Sequence, residues 1–418
     1  MTHSSSRHIS PDARLLFVVE FLTSCSTNFL QVGIFFYTQQ RFGWTLRSNF
    51  LLAAAQGATY VCGAMSAGRI SARWPARTAL ARLYVAMCLV GCLGAAFPRS
   101  WVLATLLPLY AGLGAMTWPM LESLLSTGLE SHALGRRIAV YNLVWSGSGA
   151  MVLALNGTII EHFPRGVFAI PAILHASCIT MLLLASRRAI PPQPDPVEST
   201  HPVTPPHAEP ELLRLRTSAL WLSRVALPAT YVLIYSLMAL MPSLPVFHSL
   251  DAAHQTLAGS TWMAARLVAF LILGLTTWWH TRPRILVLAA AVMLLSFLGV
   301  VVRPSDLLGP TAQSADLLSM ILWQIPLGLS LGMIYAASLY FGMVLSEGST
   351  EHGGYHEALI GLGSILGPGA GALAQIVRPG DVQFGIRAVG SVVAASVFAV
   401  AVTSLLFNRQ SERRISPR

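Results

Sequence analysis

One arginine stands far from any other charge. Arg266 lies in the run TWMAARLVAFLILG, and no other Asp, Glu, Lys or Arg occurs between positions 252 and 281. A guanidinium keeps its proton and presents five donors in a fixed fork that matches a carboxylate or phosphate, so this position points to anion selection. Trp262 precedes it by one helical turn and shares its face. Three acids, Glu20, Glu122 and Glu357, also sit among apolar residues, where ionisable groups mark ion or proton paths. Each could instead form a structural salt bridge with a loop arginine such as Arg137 or Arg73.

Uncharged polar and aromatic residues complete the set. They are Asn28 and Gln31, Gln56 and Tyr60, Trp118, Asn142 and Trp145, then Tyr231 and Tyr235, Gln324 and Tyr335. Tyr231 and Tyr235 are one turn apart, so they face the same way. A pocket with few polar groups and aromatic walls suits a small, partly apolar ligand, although hydrogen bonds between helices would use the same residues. His175 is expected as a hydrogen-bonded core histidine, and Arg224 as a side chain that snorkels to the membrane surface.

The elements that must hold these groups follow from composition. Of 418 residues, 54% are hydrophobic and 11% charged, with mean hydropathy +0.61. Too little polar surface remains to cover a soluble domain, so lipid is the expected solvent. A hydrocarbon core of about 30 Å takes about 20 apolar residues per helix, and only helices or closed barrels satisfy the backbone inside it. Long continuous apolar runs exclude a barrel. The predicted spans cover 15–37, 49–70, 78–97, 101–125, 138–160, 167–185, 219–241, 255–279, 285–302, 317–344, 358–377 and 384–407. Within these spans Arg266 falls near mid-depth. Glu20 and Glu122 fall toward the cytoplasmic thirds of theirs and Glu357 at the cytoplasmic start of its own, with Glu122 the preferred proton carrier because the other two reach the headgroups more easily.

Between two groups of six spans, residues 187–217 include PPQPDPVESTHPVTPPHAEP, which cannot cross a membrane and reads as an exposed connector. The expected organisation is a tail at 1–13, a six-helix bundle at 14–186, the connector, a second bundle at 218–408 and a tail at 409–418. All 27 basic residues are arginine. With both termini cytoplasmic, the inside receives Arg69, Arg73, Arg77, Arg82, Arg136, Arg137, Arg282 and Arg284 besides those of the connector and tails. The outside receives only Arg41, Arg47, Arg99, Arg165, Arg303, Arg378 and Arg387, an asymmetry that the positive-inside rule converts into orientation in the cell (inner) membrane. The five cysteines all fall in apolar runs and are expected to be small buried hydrophobes rather than disulfides or metal ligands.

The fifth and eleventh spans repeat one another. YNLVWSGSGAMVLALNG from Tyr141 aligns with YHEALIGLGSILGPGAG from Tyr355, matching Tyr141, Gly147, Gly149 and Gly157 with Tyr355, Gly361, Gly363 and Gly371 at one offset. Parallel halves related by an axis along the membrane normal require this pairing of fifth helix with fifth.

With twelve spans, a central connector and this repeat, the chain resembles the major facilitator superfamily over residues 14–408. The stretch GAMSAGRISARWPAR, Gly63 to Arg77, stands where that family has a basic loop after its second span, but it has no acid. The fourth span has Tyr110, Gly112 and Gly114 without the arginine that proton-coupled members carry before the glycines. Gly367-Pro368 resembles the helix motif of drug antiporters, though here it lies in the eleventh span, not the fifth. The resemblance implies two pseudo-symmetric six-helix bundles and alternating access. It also implies a central cavity lined by the polar residues above, and several anion-carrying members place an arginine centrally in the eighth helix.

The expected function is secondary transport of a small solute, an organic anion, with protons as a candidate coupling ion. Efflux of an amphipathic or cationic compound is the alternative, with Glu20 or Glu122 reading the charge. An intramembrane enzyme or non-transporting receptor is the other class considered; no nucleophile–base pair or metal cluster is seen in the sequence. An ATP-driven pump would need a Gly-rich loop ending in Lys, and the chain contains no Lys. No cofactor, metal or nucleic-acid partner is expected, and the expected state is a monomer.

Overall fold

The computed structural model describes residues 11–126, 129, 131–187, 210–346 and 350–415. The tails at 1–10 and 416–418 and most of the proline-rich connector lie outside the described residues. Among the described residues every regular element is helical. Eleven helices are long and apolar enough to cross a bilayer, and the 17-residue Ile285–Val301 is a shorter twelfth. At 1.5 Å per residue it spans about 25 Å, a few ångströms short of the hydrocarbon core. The protein is an all-α membrane protein.

In chain order the helices are α1 (Pro11–Thr27), α2 (Ile34–Phe42), α3 (Leu46–Arg73), α4 (Ala76–Ala96), α5 (Ser100–Ser126), α6 (Ser131–His162) and α7 (Gly166–Arg187). After the connector come α8 (Pro210–Leu240), α9 (Ala252–Gly259), α10 (Thr261–Leu275), α11 (Ile285–Val301), α12 (Pro304–Leu308), α13 (Asp316–Ser346), α14 (Thr350–Val377) and α15 (Val382–Ile415). The seventh span begins nine residues earlier than its apolar run, because the Leu-rich but charged stretch 210–218 continues the helix.

Two predicted spans are broken rather than continuous. The first consists of α1, a π-turn at Asn28–Val32 and α2; the Gly33 N–H donates to the Asn28 carbonyl at 2.8 Å, five residues back. The eighth consists of α9 and α10, which part at Ser260. A wide turn or a break leaves backbone groups short of helical partners, and inside a membrane these need others. Side-chain amides provide them. Gln56 donates to the Leu30 carbonyl at 3.0 Å and Asn156 to that of Gly33 at 2.8 Å. Gln324 donates to the Ala258 carbonyl at 3.0 Å and accepts from the Trp262 N–H at 3.4 Å.

The first six spans and the last six meet along α3 with α14 and along α6 with α9 and α10. Small residues allow the approach. A Cβ on Gly57 of α3 would lie 2.6 Å from the Ser364 backbone of α14, so only glycine permits that spacing. At the end away from the connector, Gly157 of α6 abuts Ala252, and its N–H donates to Thr256 at 2.9 Å. At the connector end, Gly353 of α14 packs on Pro119 and Gly274 of α10 on Ala139. The halves therefore touch at both ends and enclose what lies between them.

Side chains facing outward along the spans are apolar, among them Leu89, Trp101, Leu155, Ile173, Leu288, Leu373 and Phe398. Cys25 and Cys178 are buried as expected, but Cys62 and Cys92 face outward instead, since apolar sequence marks membrane depth and not which way a helix turns.

Candidate functional site

At mid-depth the broken helices α1 and α10 face α3, α5, α6, α8, α13 and α14 across a central cavity. The π-turn aims Asn28, Gln31 and Val32 into it, and the segment after the Ser260 break supplies Trp262, Met263 and Arg266. Tyr60, Trp118, Trp145, Tyr231, Tyr235 and Tyr335 complete the aromatic wall, so most of the predicted ligand contacts do converge. The free space is about 50 Å³. That holds a few waters, far below the roughly 300–1,000 Å³ of typical ligand pockets. The cavity is small, and the halves meet above and below it.

Arg266 is 3% exposed. Its guanidinium carbon lies 4.2 Å from the Trp145 ring centre and 4.9 Å from that of Trp262, so the cation sits between two indoles contributed by α6 and α10. Tyr335 stacks on Trp145 in turn, at 5.0 Å and 12°. Among the described residues no carboxylate forms an ion pair with Arg266, and its Nε has no hydrogen-bond partner. Two cation–π contacts supply about 0.5–2 kcal/mol each. Withdrawing an ion from water costs several kcal/mol. The stacking fixes the orientation of the fork but leaves its charge uncompensated.

Glu357 differs from its expected position. It lies seven residues into α14, about 10 Å along the axis from Thr350. Rather than facing headgroups it is 2% exposed and lines the cavity, where Tyr60 of α3 donates a short hydrogen bond to its Oε2. A helix that starts well before its apolar run carries an acid deeper than the run implies. Another bond crosses between the halves at the cavity: the Tyr235 hydroxyl of α8 donates to Gln31 Oε1 at 2.9 Å.

Glu20 and Glu122 lie off the cavity. Both are buried, at 0% and 2% exposure, so neither reaches the surface. Among the described residues no arginine pairs with either acid, the Glu20 oxygens have no hydrogen-bond donor, and Tyr141 is the hydroxyl beside Glu122. Glu122 borders a separate void of about 10 Å³ with Ser126, Arg137 and Tyr141, room for about one water. Tyr141 also lines the main cavity, so the two spaces share it as a wall.

Three predicted ligand contacts belong elsewhere. Gln56 and Gln324 serve the helix breaks described above, and Asn142 is buried off the cavity. An amide at mid-depth looks the same in sequence whether it meets a ligand or a freed carbonyl. Conversely, Thr27 and Tyr141 line the cavity without having been singled out as ligand contacts. Tyr141 precedes Trp145 by one turn, the spacing that paired Tyr231 with Tyr235, so a signal for it was present. His175 is buried in the first half, 2.7 Å from the Tyr110 hydroxyl and stacked on Tyr84. Arg224 borders an outward-facing groove with Trp221 and Tyr355. Among the described residues no group of three His, Cys, Asp or Glu could hold a metal ion.

Two six-span halves around a closed polar chamber in the membrane interior define a solute carrier rather than an enzyme. The family model described as Major Facilitator Superfamily matches residues 16–368, and the chain belongs to that superfamily. Its fold is similar to crystal structures of the nucleoside transporter NupG. One matches with a TM-score of 0.65 at 13% identity, covering 94% of this chain and 99% of that one. A variant of the same transporter matches at 0.67 and 12%, with the same coverage. At such identities the likeness concerns the fold alone. The comparison with curated protein sequences gives no match.

Proposed function

We propose that this carrier moves a small organic molecule bearing an anionic group, by alternating access of the two halves to the central cavity. The observation that carries this reading is Arg266, buried, orientated by two indoles and without an acid to neutralise it. A bound carboxylate or phosphate would accept from the fork in a bidentate manner, and hydrogen bonds to charged groups are worth about 1.5–3 kcal/mol each. NupG is a nucleoside transporter; an uncharged nucleoside would leave Arg266 unanswered, which favours an anion here.

Proton coupling is part of the proposal. Glu122 is the proton carrier, with Glu20 near it and Glu357 facing the cavity; intramembrane acids commonly form such relays. Tyr141 lines both the cavity and the void beside Glu122, which supports passage between them. The arginine asymmetry supports an orientation in the cell (inner) membrane with both termini and the connector on the cytoplasmic side.

The test is uptake into proteoliposomes from a panel of small carboxylates and phosphates. Arg266→Ala is expected to abolish uptake of the anion that the wild type carries. Unchanged uptake by that variant, with loss in Trp145→Ala, would remove the anion assignment. Glu357 in the cavity is the observation that favours efflux of an amphipathic cation instead, and a drug-susceptibility screen of an expressing strain decides that.

A further inference from the structure

A guanidinium and a carboxyl group face one chamber without meeting. Arg266 comes from α10 and Glu357 from α14, both line the cavity, and among the described residues no ion pair joins them. Tyr231 and Tyr335 line the same cavity, so an aromatic surface borders both groups. Each charge is held in place by a neighbour that is not its counter-ion: Arg266 by Trp145 and Trp262, Glu357 through its Oε2 by the Tyr60 hydroxyl. Glu357 Oε1 has no described bond and is left for another donor.

We propose that the substrate is a small aromatic zwitterion whose anionic group docks on Arg266 while its ammonium docks on Glu357. The inference rests on the anion reading above and adds the second charge. A plain anion would bring a negative group into a closed chamber that already contains Glu357 and only a few waters, and like charges confined in that way repel strongly. A zwitterion answers both charges and leaves the chamber's net charge as it was. Once the halves part and the chamber of about 50 Å³ widens, its flat body would meet walls built from tyrosine and tryptophan, where offset or edge-to-face ring contacts are favourable. Because Tyr60 belongs to the first half and Glu357 to the second, an ammonium on Glu357 would also bear on the contact between the halves.

Ligand binding to the purified full-length protein tests this, read by quenching of tryptophan fluorescence, since Trp145 and Trp262 flank the anion site. Three probes share one ring: phenylalanine carries both charges, phenylpropanoate only the anion and phenethylamine only the cation. Phenylalanine is expected to bind about tenfold more tightly than either of the others. In Glu357→Gln the preference for phenylalanine over phenylpropanoate should disappear while phenylpropanoate affinity holds or rises. Tyr60→Phe should narrow the same gap, and it serves if the glutamine variant does not fold. Phenylpropanoate binding as well as phenylalanine to the wild type would overturn the zwitterion and leave the anion reading standing. A preference that survives both variants would overturn the role of Glu357. Binding of phenethylamine alone would sink both readings, and failure of all three probes would overturn the aromatic zwitterion.

Discussion

Arg266 shows how one side chain can be both strained and prepared. Its stack with Trp145 and Trp262 holds the guanidinium plane, so little freedom is lost when an anion binds. Arg266→Lys keeps the charge but loses the fork and the flat stack; the KM for the transported anion should rise about tenfold or more in proteoliposomes, on the scale of one charge-assisted bond. An unchanged KM would mean that charge alone is read there. Glu122→Gln keeps the shape of the buried acid and cannot exchange a proton. It should abolish the stimulation of uptake by an imposed pH gradient while leaving exchange of substrate for substrate intact, and persistent stimulation would move the coupling role to Glu20 or Glu357.

At the scale of elements, the broken helices are what carry the cavity wall. Each break is maintained by an amide on a neighbouring span: Gln56 on α3 for the π-turn of the first, Gln324 on α13 for the Ser260 break of the eighth. Gln324→Leu removes the bonds to the Ala258 carbonyl and the Trp262 N–H and leaves these backbone groups bare, so a loss of about 1–3 kcal/mol in stability is expected, measured as a lowered midpoint in thermal unfolding. Near the connector end, in the short turn Trp278–Thr281 after α10, His280 stacks on Tyr340 at 4.1 Å and 11°. Burial, with Arg216 nearby, pushes this imidazole down to about 4. The folded state therefore binds fewer protons than the unfolded chain at pH values between the two pKa values, and stability is full above the unfolded value of about 6.5. It should decline as pH falls from there toward about 4 and level off below. His280→Phe keeps the ring stack and should flatten that part of the thermal-stability profile.

At the scale of the molecule, contacts at both ends combined with a chamber of about 50 Å³ mean that one end must part before a solute can enter. Gly353 and Pro119 mark the contact at the connector end, where a Cβ on Gly353 would lie 3.3 Å from that of Pro119. Cysteines placed at both positions are close to disulfide spacing. Oxidation should block uptake and reductant should restore it; transport that continues through the cross-linked form would show that this end need not open.

Much of this architecture is legible without a structure. Twenty-residue apolar runs can satisfy their backbones in lipid only as helices, so twelve spans, the central connector and the odd charge at Arg266 follow from composition and spacing. Membrane-scale hydropathy reports depth, however, and is silent on the turn of each helix about its axis. Only the packed bundle decided that Glu357 faces the cavity beside Tyr60, that Gln56 and Gln324 mend broken helices, and that Trp145 and Trp262 close on the same arginine. Those facts depend on contacts between residues far apart in the chain, which form when distant helices meet; a local pattern contains no information about its partner across the interface.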